Sequence, residues 1–161
     1  MTRFRRRLAL ALAGAVLVAL PSPALAAFSW TYFGDSKDLI GSTGEDEGDT
    51  DFRATCKGGG RAEIGIGAQE SVGSGKNEAV SVTLASGARN VRIDGHSQNS
   101  PNFQMTAGTE LRTDADKTHP VFQLLADPGP IKVSGKTLSA TWPAAGRAAA
   151  AKAFTKACFG D

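Results

Sequence analysis

The sequence predicts a mainly β, α+β domain: an antiparallel sheet or partly closed barrel of about seven to nine strands, with one short internal helix, a C-terminal helix and one disulfide. Three observations carry this. Short apolar runs that alternate with polar residues recur from Phe28 to Trp142, separated by turns rich in Gly, Ser and Asp. One alanine-rich stretch, 144–157, has helical composition. The chain also has two cysteines, Cys56 and Cys158, an even count that pairs most simply in an oxidising compartment.

That compartment is read from the start of the chain. Arg3, Arg5, Arg6 and Arg7 precede an apolar run over 8–20, broken only by Gly14; Pro21 and Pro23 follow, then Ala24-Leu25-Ala26. This is the pattern of a cleavable secretory signal over 1–26, cut before Ala27. The run is shorter than the roughly 20 residues a spanning helix needs, so no membrane span is expected after cleavage. No cysteine follows it to carry a lipid. Residues 27–161 then form a single domain in the periplasm or outside the cell. Of the 18 basic and 16 acidic side chains, four Arg and no acid leave with the signal, so the exported part holds 14 against 16. A mildly acidic chain with no basic run after residue 7 lacks the electrostatic footprint of nucleic-acid binding.

The elements follow in order. Phe28, Trp30 and Tyr32 alternate on one face of a first strand over 28–33. Residues 35–51 carry seven acids against Lys37 and read as an acidic loop. Residues 52–56 and 62–66 form a hairpin around Gly58-Gly59-Gly60. Val80, Val82 and Leu84 share the inner face of the next strand, and Val91 and Ile93 mark its partner after the Ser86-Gly87 turn. Asp94-Gly95-His96-Ser97 reads as a polar turn. Phe103 and Met105 suggest a short strand, while Leu111 stands alone in a polar stretch. Val121, Leu124 and Leu125 recur at helical spacing, with Thr118 as cap and Pro120 in the first turn. Ile131 and Val133, then Leu138, Ala140 and Trp142, alternate as a hairpin around Ser134-Gly135. In the final helix Phe154 and Cys158 stand four apart, so the face that packs on the sheet also presents the sulfur.

Little of this spells chemistry. The segment Gly44-Glu45-Asp46-Glu47-Gly48-Asp49-Thr50-Asp51 places five acids in eight residues, and Asp46, Asp49 and Asp51 are candidate calcium ligands. The spacing does not fit an EF-hand loop, and a solvated, self-repelling loop is the reading preferred. Its charge would alternatively suit a basic partner. Val72-Gly73-Ser74-Gly75-Lys76-Asn77 imitates a phosphate-binding loop, but Glu70 stands where a glycine is required and Asn77 where a Ser or Thr is. A hydrolase would have to draw on Asp94, His96 and a serine, without a G-x-S-x-G elbow. His119 is the only other histidine, and two isolated histidines beside a bonded cysteine pair offer no zinc set. No cofactor is expected.

Taken together, Trp30, the segment Phe52-Arg53-Ala54-Thr55-Cys56, Leu84-Ala85-Ser86-Gly87 with Gly95, Leu124-Leu125, and the ending from Trp142-Pro143 to Cys158 resemble a recurring layout of small alphaproteobacterial exported proteins. The resemblance implies a disulfide-tied sheet with a C-terminal helix and no particular activity. Ser86-Gly87-Ala88-Arg89 also resembles the serine-bearing loop of membrane-bound inhibitors of C-type lysozyme, with Asn90 in place of the usual aromatic residue. That likeness implies Ser86 and Arg89 as binding residues and a glycosidase as target. The sequence therefore points to a small, non-enzymatic exported binding module for a protein or small-molecule ligand. Glycosidase inhibition, weak calcium or basic-partner binding, and hydrolysis are the alternatives. Protein recovered from the periplasm should have an intact mass that starts at Ala27 without a lipid; a mass retaining 1–26 would refute the signal.

Overall fold

The computed structural model describes residues 28–43, 50–67, 71–101 and 103–160. Strands β1 (Phe28–Phe33), β2 (Asp38–Thr43), β3 (Thr50–Gly58) and β4 (Arg61–Ile66) form an antiparallel meander. The chain then passes two positions before β5 (Lys76–Ser86), which turns into β6 (Arg89–Asn99). One helical turn, α1 (Phe103–Thr106), leads to β7 (Thr109–Asp116), which slots between β4 and β6. Helix α2 (Pro120–Ala126), the hairpin β8 (Ile131–Ser134) and β9 (Ser139–Trp142), and helix α3 (Arg147–Phe159) complete the chain. The nine-stranded sheet runs β1-β2-β3-β4-β7-β6-β5-β8-β9.

Its two edges curl until they nearly meet. Trp30 on β1 donates its indole N–H to the Pro143 carbonyl just after β9, at 2.9 Å. Trp30 and Trp142 pack edge to face with ring centroids 5.9 Å apart, and Phe52 closes the cluster at 5.6 and 5.8 Å from them. Large rings suit this seam because each removes much apolar area from water and tolerates tilted contact. The interior is lined by the predicted alternating residues, among them Ala62, Ile64, Ile66, Val82, Leu84, Ile93 and Val133.

The two longer helices pack side by side, α3 on β1 to β4 and α2 on β5 and β6. Phe122 and Phe154 stack across them at 5.9 Å, and Tyr32 meets Phe154 edge-on at 6.5 Å. Cys158, one turn beyond Phe154, is bonded to Cys56 on β3, as the sequence implied, with Cα atoms 5.5 Å apart. Closing a loop of 102 residues stabilises the fold by about 4 to 5 kcal/mol in the chain-entropy description. Among the described residues no helix is long and apolar enough to cross a membrane.

Several elements differ from expectation. The segment read as an acidic loop contains β2, whose Leu39 is fully buried in the core while Ile40 is buried on the opposite face. With both faces covered, the strand shows no alternation. The Asp94-Gly95-His96-Ser97 turn is instead the middle of β6. Gly95 is there because the neighbouring strand comes close: a Cβ would lie 2.3 Å from the Arg112 carbonyl oxygen. β7 occupies the stretch where Leu111 stood alone, and residues around Phe103 form α1 rather than a strand. At α2 the cap is His119, whose Nδ1 accepts the Val121 N–H at 3.3 Å. Thr118 is unavailable, since its hydroxyl and N–H both go to the Asp116 carboxylate. α3 starts at Arg147 rather than Ala144, behind Gly146 in the left-handed region.

Arg147 itself is fully buried. Its Nε donates to the Leu125 carbonyl at 3.0 Å, and its Nη2 to those of Asp127 and Gly129, the latter at 2.7 Å. These carbonyls belong to the C-terminal end of α2, where no further helical turn supplies donors, and to the loop that delivers β8; a fixed cation there complements the helix dipole. Burial lowers the guanidinium pKa, offset in part by Asp127, yet an arginine stays charged. Arg147→Met should lower unfolding stability by about 3 kcal/mol, because buried carbonyls lose their donors. Arg147→Lys should recover little, since one ammonium lacks the planar fork. Urea midpoints within error of wild type would refute the role.

Candidate functional site

Residues 71–75, which lead into β5, cross one end of the barrel over the ends of β7 and β6. Val72 donates its N–H to the Thr109 carbonyl at 3.1 Å. Its own carbonyl accepts the hydroxyls of Ser97 at 2.6 Å and Thr109 at 3.1 Å, and the Gly75 N–H returns to Ser97 Oγ at 2.9 Å. Gly73 takes φ 77° with Ser97 and Glu78 so close that a Cβ would lie about 2.5 Å from them, so only glycine serves.

Glu78, the first inward side chain of β5, completes this crossing. Its carboxylate accepts the backbone N–H of Ser74 and, at 3.0 Å, that of Lys76. The Ser74 amide above all, with the other backbone donors, holds its pKa down to about 2, because hydrogen bonds to the charged form favour it. The likeness of 72–77 to a phosphate-binding loop thus has a physical basis: it is a nest of amides, already filled by the protein's own carboxylate.

Beside the crossing lies a groove of about 980 Å3, walled by this loop, the start of β5 and the tip of the β8–β9 hairpin. Val72, Ala79, Val80 and Leu138 supply apolar surface; Ser71, Ser74, Ser81 and Thr137 supply hydroxyls. Thr137 Oγ1 donates to the Ser71 carbonyl at 3.0 Å, tying tip to loop. The turn is held by Gly135 N–H on the Leu138 carbonyl at 2.8 Å. Lys136 at the tip is exposed. Sequence reasoning missed this site, because its walls come from three segments more than fifty residues apart at the extremes; only the small-residue run 72–77 hinted at it.

The residues singled out from sequence lie elsewhere. Ser86 is 4 % exposed, and its hydroxyl donates to the Gly129 carbonyl at 3.3 Å. Arg89 sets its Nε on Asp127 at 2.8 Å and its Nη1 on Gln123 at 3.1 Å. This turn docks on the end of α2, beside Arg147. Asp51 is buried on β3 and accepts the Thr43 hydroxyl; Asp46 and Asp49 lie outside the described residues. Among the described residues no three His, Cys, Asp or Glu side chains are grouped to hold a metal. Asp94 pairs with Arg92 at 2.8 Å, and His96 Nδ1 faces the Asn77 carbonyl at 3.1 Å. His119 is half buried, which lowers its pKa despite Asp116 nearby, as suits a neutral ring that accepts at a helix cap.

A second buried ionic group sits on the outer face of the barrel. Glu110 contacts Arg112 at 2.6 Å and lies over Gly65, where a Cβ would be 3.2 Å from its carboxyl. Burial raises the Glu110 pKa despite that partner, so desolvation outweighs the ion pair.

No known protein family, curated protein or solved structure matches this chain.

Glu78 and Glu110 act oppositely on acid stability. A depressed carboxyl contributes stability that is complete above its unfolded value of 4.5 and is lost as pH falls through about 2. Glu78→Gln should remove that contribution while leaving Glu110 unchanged. The gap in melting temperature between wild type and E78Q should narrow as pH falls from 4.5 towards 2; a constant gap would show that Glu78 is not charged in the nest.

Proposed function

We propose that the protein is an exported, non-enzymatic binding module whose ligand occupies the groove at the barrel mouth. The observation that carries this is the groove itself: about 980 Å3, at the upper end of the range for ligand sites, with both apolar and hydroxyl-bearing residues in its lining. Barrel mouths are a recurrent place for such sites. The floor is rigid for the same reason the crossing is, since Val72, Gly75, Ser97, Thr109 and Glu78 are hydrogen-bonded into one network. A pre-formed floor lowers the ordering cost of binding.

Binding is preferred to catalysis because the groove holds no histidine, and the two members of the imagined triad are each held by another residue. Export is supported by the oxidised Cys56–Cys158 pair, which persists in oxidising surroundings.

Amide NMR of the protein with a mixture of small aliphatic, sugar and dipeptide fragments tests the site. Shift changes should cluster at Val72, Val80 and Leu138, and Val80→Arg should abolish them while leaving the melting temperature within a few degrees. Changes scattered over the surface, or centred on the Glu110 face, would refute it.

A further inference from the structure

Resting on that reading of the groove, we propose that its occupant is an extended polypeptide segment bearing a carboxylate, added as a further strand to the open edge of β5. β5 has eleven residues, but β8 pairs only with Thr83, Leu84 and Ala85; beyond Ser134 the chain turns, with Gly135 packed against Ser81 and Val82 but outside the ladder. Residues 76–82 continue past that point with β6 on one side and, among the described residues, no backbone partner on the other. An unpaired edge presents N–H and C=O groups that another extended backbone satisfies.

Most proteins blunt such an edge, and here the blunting is confined to one end. The pairing with β6 is irregular between Lys76 and Ala79, and Asn77 has φ 61°. From 79 to 82 the strand is regular, a length of about 13 Å that matches four residues of a partner. Ala79 is exposed and Ser81 half-exposed, and both side chains are too small to shield the backbone. The strand that would pair here lies in the groove, between this edge and the hairpin tip at 135–138. Its side chains alternate between faces, and those turned inward enter the groove over Val80 and Leu138.

The charge preference follows from Glu78. Its carboxylate is consumed by the Ser74 and Lys76 amides, whereas Lys136 and Lys76 are exposed and have no acidic partner among the described residues. The rim therefore favours an acidic side chain.

The test uses the exported protein and a blocked heptapeptide of alternating valine and threonine with one central aspartate. A second copy of the peptide carries N-methyl groups on alternate amides. The parent should bind saturably, shift the amides of 79–82 and slow their hydrogen exchange. N-methylation should weaken it about tenfold or more, the loss of two or more backbone hydrogen bonds. Lys136→Glu should weaken the aspartate peptide several-fold and improve one with lysine in its place. Equal binding of the N-methylated peptide, or shifts away from 79–82, would overturn the strand-addition proposal. So would self-association of the protein through this edge in sedimentation. If fragments occupy the groove and no peptide does, this inference fails and the binding reading stands; if neither does, both fail.

Discussion

The arrangement depends on Arg147. The end of α2 and the loop through Asp127 and Gly129 that leads to β8 are irregular backbone with carbonyls that must be satisfied. One guanidinium does this from the first turn of α3. The Ser86 hydroxyl and the Arg89 fork fasten the same loop from the β5–β6 turn. The residues that resembled an inhibitor's binding loop therefore contribute to a joint between the sheet and the helix pair. That joint sets the direction in which the β8–β9 hairpin leaves, and the hairpin tip is one wall of the groove.

Closure of the barrel is a separate matter, carried by apolar burial. Trp30, Phe52 and Trp142 come from three strands, and the hydrogen bond from Trp30 to Pro143 fixes where the edges meet. A sheet whose edges are bridged by side chains instead of a full ladder leaves some backbone free. Here the free backbone falls along the first half of β5, because β8 is only four residues long. The short strand, the network under the crossing loop and the open edge are thus consequences of one topology, in which β4 and β5 are connected across the barrel mouth.

Much of the fold was legible. The strands with Val80, Val82 and Leu84, and with Ile131 and Val133, show themselves by period two because one face is dry and the other wet. Alanine content marked α3, and cysteine count marked the bridge. β2 and β7 were not legible, for opposite reasons. Leu39 and Ile40 are both buried, so the pattern of β2 is continuous and very short. β7 carries Glu110 and Arg112, which pair with each other over a glycine of β4 and make a buried strand look like a polar loop. Asp94-Gly95 has turn chemistry, yet the glycine answers a close approach from β7. The groove left almost no trace, because Ser71 and Thr137 meet only in three dimensions.

By itself, the sequence determined the class of fold, the covalent bridge and the alternation that buries the core, since these rest on local periodicity and on chemistry intrinsic to single residues. Only the tertiary structure decided the strand order, the burial of Ser86 and Asp51, the capture of the 72–77 amides by Glu78 and the exposed edge of β5. Each of these is a matter of which polar group finds which partner. Some partners are close in sequence, as Glu78 is to Ser74 and Lys76, and others are tens of residues away, as Ser86 is from Gly129; in both cases the packing of the whole sheet decides which of the available groups meet.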